Sequence, residues 1–105
     1  MARIVWTKTA LSDLNEIAEY IALDKVRAAQ ELVKKVFSVV ERLEQFPESG
    51  RRPPELPKSE YREVIVGPCR IFYRSAQKKV YIVYVMRGER KLRKFMIDER
   101  AKNSS

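Results

Sequence analysis

Tyr61–Arg90, YREVIVGPCRIFYRSAQKKVYIVYVMRGER, holds three apolar runs separated by two turn signals. Val80 to Met86 is seven residues with no polar group except the phenols of Tyr81 and Tyr84. A run of that length, rich in β-branched and aromatic side chains, predicts a strand buried on both faces. Gly67-Pro68 marks a tight turn, because glycine takes positive φ at no steric cost. Ser75 to Lys79 is a second, polar turn. The spacing therefore predicts a meander of three strands over Tyr61–Val66, Cys69–Ser75 and Val80–Met86. Strict alternation puts Cys69, Ile71 and Tyr73 on one face of the middle strand and Arg70, Phe72 and Arg74 on the other. The same alternation sends Tyr81 and Tyr84 to opposite faces, so packing is the reading for both.

Before the meander, Arg3 to Thr7 reads as a short strand, with Ile4 and Trp6 on one side. Thr7 or Thr9 then caps a helix whose stripe is Leu11, Leu14, Ile17, Ala18 and Ile21, with Asp13, Glu16 and Glu19 off it. Asp24 is placed to end this helix and cap the next, which runs from Lys25 to about Gln45. Its stripe is Ala29, Leu32, Val33, Val36, Val40 and Leu43. So short a link predicts an antiparallel helical hairpin with one face packed on the sheet. Phe46-Pro47-Glu48-Ser49-Gly50 stops the second helix, since proline cannot continue it. Arg51 to Ser59 is an extended, proline-rich connector in which Arg51, Arg52 and Lys58 add basic charge. After the meander, Leu92, Phe95 and Met96 space a short helix over Lys91–Arg100, and Ala101–Ser105 is a frayed polar tail. The expected fold class is α+β, β-α-α-β-β-β(-α), with a twisted, mainly antiparallel sheet and the hairpin on one face. Residues 1–100 form a single domain.

Composition narrows the function. A chain of 105 residues with 45% apolar content has room for one modest core. Without a membrane-length apolar run or a secretory leader, the expected location is cytoplasmic. The lone Cys69 excludes an intrachain disulfide and a cysteine-rich zinc site, and is read as core. No metal or cofactor is expected. Charge is uneven: seven Lys and Arg stand against eight Asp and Glu in residues 1–50, but fifteen against six in residues 51–105. A basic half predicts an acidic partner on that half. Its candidate contacts are Arg62, Arg70, Arg74, Arg87 and Arg90, whose guanidinium groups suit phosphate or carboxylate. Arg70 has an alternative reading, a cross-strand ion pair with Glu63. Trp6 reads as an anchor between sheet and hairpin.

Four ordered motifs carry a resemblance: WT-x-x-A-x-x-DL (Trp6–Leu14), FP-x-x-G (Phe46–Gly50), YRE-x-x-VGP-x-RI-x-Y (Tyr61–Tyr73) and VYI-x-x-V-x-RG-x-R-x-L (Val80–Leu92). In these the chain resembles the RelE/ParE superfamily of toxins from type II toxin–antitoxin modules, and is closer to the ParE branch. The resemblance implies a basic, growth-inhibiting toxin that forms a hetero-oligomer with a cognate ParD-like antitoxin. Its implied target is DNA gyrase in the ParE branch, or the ribosome and messenger RNA in the RelE branch, whose members are endoribonucleases. Arg70 and Arg90 match the phosphate-clamping arginines of the nucleases. Arg62 and Val64 stand where those enzymes carry lysines, and Met96, beside Phe95, falls where they carry a tyrosine. Arg87 replaces a histidine and Cys69 an aromatic of many ParE relatives.

RNA cleavage through the 2′-OH needs a base, an acid and cations at the phosphate. The chain has no histidine, and an arginine is a poor base. If the chain is a ribonuclease, its candidate groups are Arg70, Arg90 and Arg62, with Tyr61, Tyr73, Tyr81 and Tyr84 as phenols to be recruited. The depleted proton-transfer set favours gyrase inhibition over cleavage. A third reading is an inactive toxin that survives as an antitoxin-binding co-repressor.

Overall fold

In the computed structural model, which describes residues 1–103, the run read as doubly buried is one of the two inner strands, β4 (Lys79–Arg87). Val80 and Ile82 through Met86 are all buried. On one side β4 pairs antiparallel with β3 (Cys69–Ala76), which pairs antiparallel with β2 (Arg62–Val66). On its other side lies β1 (Arg3–Trp6), parallel to β4 from Arg3↔Lys79 to Trp6↔Ile82. The sheet order is thus β1-β4-β3-β2. The parallel pairing is possible because a long connection separates the two strands, since parallel neighbours cannot be joined by a tight turn.

That crossover begins with α1 (Lys8–Ala22), which starts at Thr7. The Thr7 hydroxyl accepts from Ala10 N at 3.2 Å and donates to Ile82 O at 2.8 Å, so one side chain caps the helix and ties it to the sheet. The next helix, α2 (Val26–Glu41), is bounded by Lys25 and not by Asp24. Lys25 has the extended backbone of an N-cap but no capping side-chain bond, and Asp24 sits one residue too early in the turn. The helix also ends before Gln45: Arg42–Glu44 tightens into a 3₁₀ turn that keeps Leu43 buried.

Two apolar layers flank the sheet. Leu14, Leu32, Val36, Val40 and Leu43 from the helical side pack on Ile71, Tyr73, Val80, Ile82 and Val85. Cys69 belongs to this layer, where burial pushes its thiol pKa up. Trp6 packs against the same layer, with its ring centroid 5.0 Å from that of Phe37. On the opposite face Phe72, Val83, Tyr84 and Met86 meet Tyr61, Leu92 and Ile97.

Three details depart from the sequence reading. The register between β3 and β4 shifts at Phe72/Tyr73, whose partners are Tyr84 and Ile82. Val83 is the extra residue, a β-bulge that restarts the alternation. Tyr81 and Tyr84 therefore share one face. The last helix, α3, runs Lys94–Asn103, later than expected. The shift rotates its phase, so Ile97 is buried while Phe95 is 66% exposed. It also carries helix into the segment read as tail; Ser104 and Ser105 of that tail lie outside the described residues.

The turns follow expectation. Gly67 has φ +57° between β2 and β3. Gln77 and Lys78 both take positive φ between β3 and β4, as a two-residue hairpin turn requires. Among the described residues no helix is long and apolar enough to cross a membrane.

Candidate functional site

Arg70 lies at the centre of the expected basic surface, on the face of β3 opposite the hairpin, and it is only 8% exposed. Its Nε and Nη2 donate to the two oxygens of Glu63, each at 2.8 Å. Its Nη1 and Nη2 donate to Glu55 at 2.7 and 2.8 Å. Glu63 comes from β2, directly opposite Phe72, and is 1% exposed. Glu55 comes from the connector, which is held to the sheet by Arg51 N to Glu63 O at 3.0 Å and Glu63 N to Arg51 O at 2.8 Å. The Arg70 hydrogen bonds hold the Glu55 carboxyl down at about 2, and the same bonds, Glu55 first, push the Arg70 guanidinium further up. Arg51 adds a looser contact to Glu63 at 3.5 Å. A guanidinium gripped by two carboxylates has no free fork for a phosphate. The cross-strand reading of Arg70 holds, and its expected place in an open anion clamp does not.

The other arginines do not converge on it. Arg74 shares its face, but stacks 4.4 Å over the Tyr81 ring and lies 3.9 Å from Glu60. Arg62 points to the hairpin side, where Nη1 donates to Gly50 O at 2.9 Å. Arg87, paired with Cys69 in register, also lies on the hairpin side. Its guanidinium sits 5.4 Å from the Tyr20 ring centroid. Its Nε is 2.7 Å from Glu89, yet is buried and not aligned for a hydrogen bond. Arg90, in the turn after β4, is exposed and has no ion pair among the described residues. A single patch of these five side chains is therefore not formed, because alternation along β2, β3 and β4 deals four of them to two faces and Arg90 lies beyond the sheet in the turn after β4. The structure instead leaves an exposed basic strip at the exit from β4: Arg90, Lys91, Arg93 and Lys94. Buried Leu92 fixes the strip to the sheet, helped by a bond from its N–H to Glu55 at 3.3 Å.

Proton-transfer candidates fare no better. Tyr61, Tyr73 and Tyr84 are buried. Burial raises the pKa of Tyr61 and Tyr73, moving both further from use as a base. The Tyr73 hydroxyl is committed to accepting from Gly50 N at 2.9 Å. Tyr81 is half-buried beneath Arg74.

Two important carboxylates were not singled out as partners in the sequence. Glu55 is the sole acid in the Arg51–Ser59 connector, a clue that gains meaning only once Arg70 is placed. Asp13 is the other, off the apolar stripe of the first helix. It accepts from Arg100 at 2.7 and 2.8 Å and from Val85 N at 3.1 Å.

Residues 4–92 match the model of a family described as the ParE toxin of the type II toxin–antitoxin system parDE. The chain is 36% identical over 91 residues to "Toxin RelE2" of Caulobacter vibrioides, covering 86% of this chain and 99% of that protein. It is 43% identical over 49 residues to "Putative toxin Y4kP" of Sinorhizobium fredii, 47% of this chain and 51% of the other. Among solved structures it resembles the chromosomal ParDE toxin–antitoxin system from P. aeruginosa, with TM-score 0.71 and 27% identity over 85% of this chain and 98% of that one. By motif, fold and family match, the chain belongs to the ParE toxin family of type II toxin–antitoxin systems, within the RelE/ParE superfamily.

Proposed function

We propose that this toxin acts by protein contact, inhibiting DNA gyrase, and is neutralised by a cognate ParD-like antitoxin in a hetero-oligomer. The observation that carries the reading is the saturation of Arg70 by Glu55 and Glu63. Nucleophilic attack by a 2′-OH needs an open cation at the phosphate and a titratable group beside it. Here the central cation is occupied, and three of the four candidate phenols are buried. What remains available is the strip from Arg90 to Arg93, suited to an acidic surface on a protein or on gyrase-bound DNA, while Lys94 is paired with Asp98 at 2.7 Å. The family match and the ParDE neighbour support the antitoxin as partner.

The test is a supercoiling assay with gyrase from the organism that encodes the chain. Loss of supercoiling at stoichiometric toxin is expected. Unchanged supercoiling at large excess sinks the proposal. The similarity to a relative named RelE2 favours a second reading, ribosome-dependent cleavage of messenger RNA. Primer extension on a translated message decides it: codon-spaced cuts would replace the gyrase reading, while growth arrest without cuts removes the alternative.

A further inference from the structure

Every acid between Arg51 and Asp98 already has a cationic neighbour. Glu55 and Glu63 meet Arg70, Glu60 lies by Arg74, Glu89 by Arg87 and Asp98 by Lys94. Of the cations left over, Lys58 on the connector and Arg90, Lys91 and Arg93 after β4 are exposed and have no ion pair among the described residues. Their two segments run side by side, because Leu56 and Leu92 pack in one apolar cluster and Glu55 accepts from Leu92 N. Next to them stands a ring that the fold leaves out. Phe95, in the first turn of α3, is 66% exposed, while Met96 and Ile97 pack toward the sheet. We infer that this surface binds an unpaired stretch of a DNA strand, with Lys58, Arg90, Lys91 and Arg93 on its phosphates and the Phe95 ring against a base. The inference deepens the gyrase reading, on which the choice of DNA rests.

The ring selects the occupant. Cations alone would suit any acidic surface. A flat ring exposed among them adds a platform on which a base can stack, whatever its sequence. Paired bases keep their faces inside the helical stack, so a duplex would meet the cations and leave Phe95 unused. An acidic segment of protein would leave it unused as well. Glu99 sets the limit of the surface. It lies one turn after Phe95 on the same side of α3, is exposed, and has no ion pair among the described residues. Its charge turns a phosphate away, so the strand runs from Phe95 toward the connector and not along α3.

Two independent signatures follow. Roughly four phosphate contacts on a single strand give log K a slope of about −3 against log salt, so affinity falls about fiftyfold between 50 and 200 mM salt. Stacking on one ring contributes about tenfold and does not depend on salt. Salt therefore reports on the cations, and the presence of a base reports on Phe95.

Fluorescence anisotropy of a labelled DNA strand of about 12 nucleotides, titrated with the full chain and no gyrase, tests this. A Kd on the order of 10 μM is expected at 50 mM salt. Phe95→Ala weakens binding about tenfold and Phe95→Trp restores it. An abasic strand costs the wild type the same factor and costs Phe95→Ala nothing further. Glu99→Gln tightens binding about threefold. All three variants are expected to melt with the wild type, because both side chains are exposed. Equal affinity of wild type and Phe95→Ala for the plain strand overturns the inference, as does equal affinity of the wild type for plain and abasic strands. A strand that fails to bind at 50 mM salt overturns it too, and a tenfold preference for RNA of the same sequence overturns the choice of DNA. Loss of supercoiling by a chain that shows none of this binding would leave inhibition by protein contact standing and remove only the strand contact.

Discussion

The Arg100 guanidinium meets the Asp13 carboxylate through two hydrogen bonds, of 2.7 and 2.8 Å, and so ties α3 to α1 across the end of β4. β1 pairs with β4 only as far as Ile82, which leaves backbone groups beyond it without a strand partner. Asp13 accepts from Val85 N at 3.1 Å, and Arg100 donates to Val83 O at 3.3 Å. The two side chains thus do for this edge what a longer first strand would have done. Arg100 also lies 3.9 Å from the Tyr84 ring centroid, on the face that the Val83 bulge created. An ion pair, a bulge and the placement of α3 are one structural unit.

Asp13→Ala should therefore loosen α3 as well as lower stability. It leaves the Arg100 guanidinium and the Val85 N–H short of an acceptor in a partly buried place, at a cost of about 2–3 kcal/mol. For a domain of this size that is a fall in Tm of roughly 10–20 °C. Amide exchange over α3 should quicken relative to β3. If α3 keeps its protection in Asp13→Ala, the helix is held by Leu92 and Ile97 alone and the ion pair is incidental.

Glu55 gives stability a pH signature. Its carboxyl is held at about 2, against an ordinary 4.5, chiefly by hydrogen bonds from Arg70. A depressed folded pKa stabilises the native state above the ordinary value, and the contribution is lost as pH falls through the folded one. The window is therefore from about pH 4.5 down to about pH 2. Allowing for the solvent that reaches this side chain, the loss is about 1–2 kcal/mol. Urea unfolding across that window should show the slope in the wild type and a flatter one in Glu55→Gln. Equal slopes would mean that the acid limb belongs to other carboxylates.

The fold was legible because its strongest signals are local. Val80–Met86 announces a buried strand, and the stripes of both helices name most of the residues that pack, although Leu11 is 42% exposed and Ala18 and Val33 line the open outer side of the hairpin. What stayed hidden depends on distance or on phase. Nothing in an all-apolar run marks Val83 as the extra residue, so Tyr81 and Tyr84 were dealt to opposite faces. The later start of α3 exchanged Phe95 for Ile97 in the core. At the candidate site, the meander pattern marks Arg70 and offers its pairing with Glu63 as an alternative, since facing strands place them together. Glu55 lies 15 residues away in a connector without periodicity, so no pattern pointed to it. The family motifs gave the right superfamily although several of their arginines fall on opposite faces.

Gly50 should be nearly irreplaceable. A Cβ there would lie 2.5 Å from Tyr73 Oη, 2.7 Å from its Cε1 and 2.8 Å from Glu63 O. Gly50→Ala is expected to cost about 2–4 kcal/mol through this overlap. Tyr73→Phe should not rescue it, because the ring carbon and the backbone oxygen remain and Gly50 N also loses its acceptor. Thermal melts of both single variants and the double decide the point. Full recovery in the double variant would show that the hydroxyl alone sets the limit.

Arg70 and Arg90 should fail in opposite ways. Arg70→Ala leaves the carboxylates of Glu55 and Glu63 without their guanidinium, and Glu63 is fully enclosed. Removing one partner of a buried pair costs about 3–5 kcal/mol, enough to lower the folded population of a small domain and toxicity with it. Arg90→Ala removes an exposed cation with no ion pair among the described residues, so its melting temperature should stay within about 2 °C of wild type. Arg87 lies between these cases, held against Glu89 and the Tyr20 ring. The double variant Arg87→Ala with Arg90→Ala should relieve growth arrest far more than it lowers stability. Growth after induction, measured beside thermal melts of the same proteins, separates the two roles. If the double variant loses stability in proportion to toxicity, these two arginines are structural and the acidic partner must be met elsewhere.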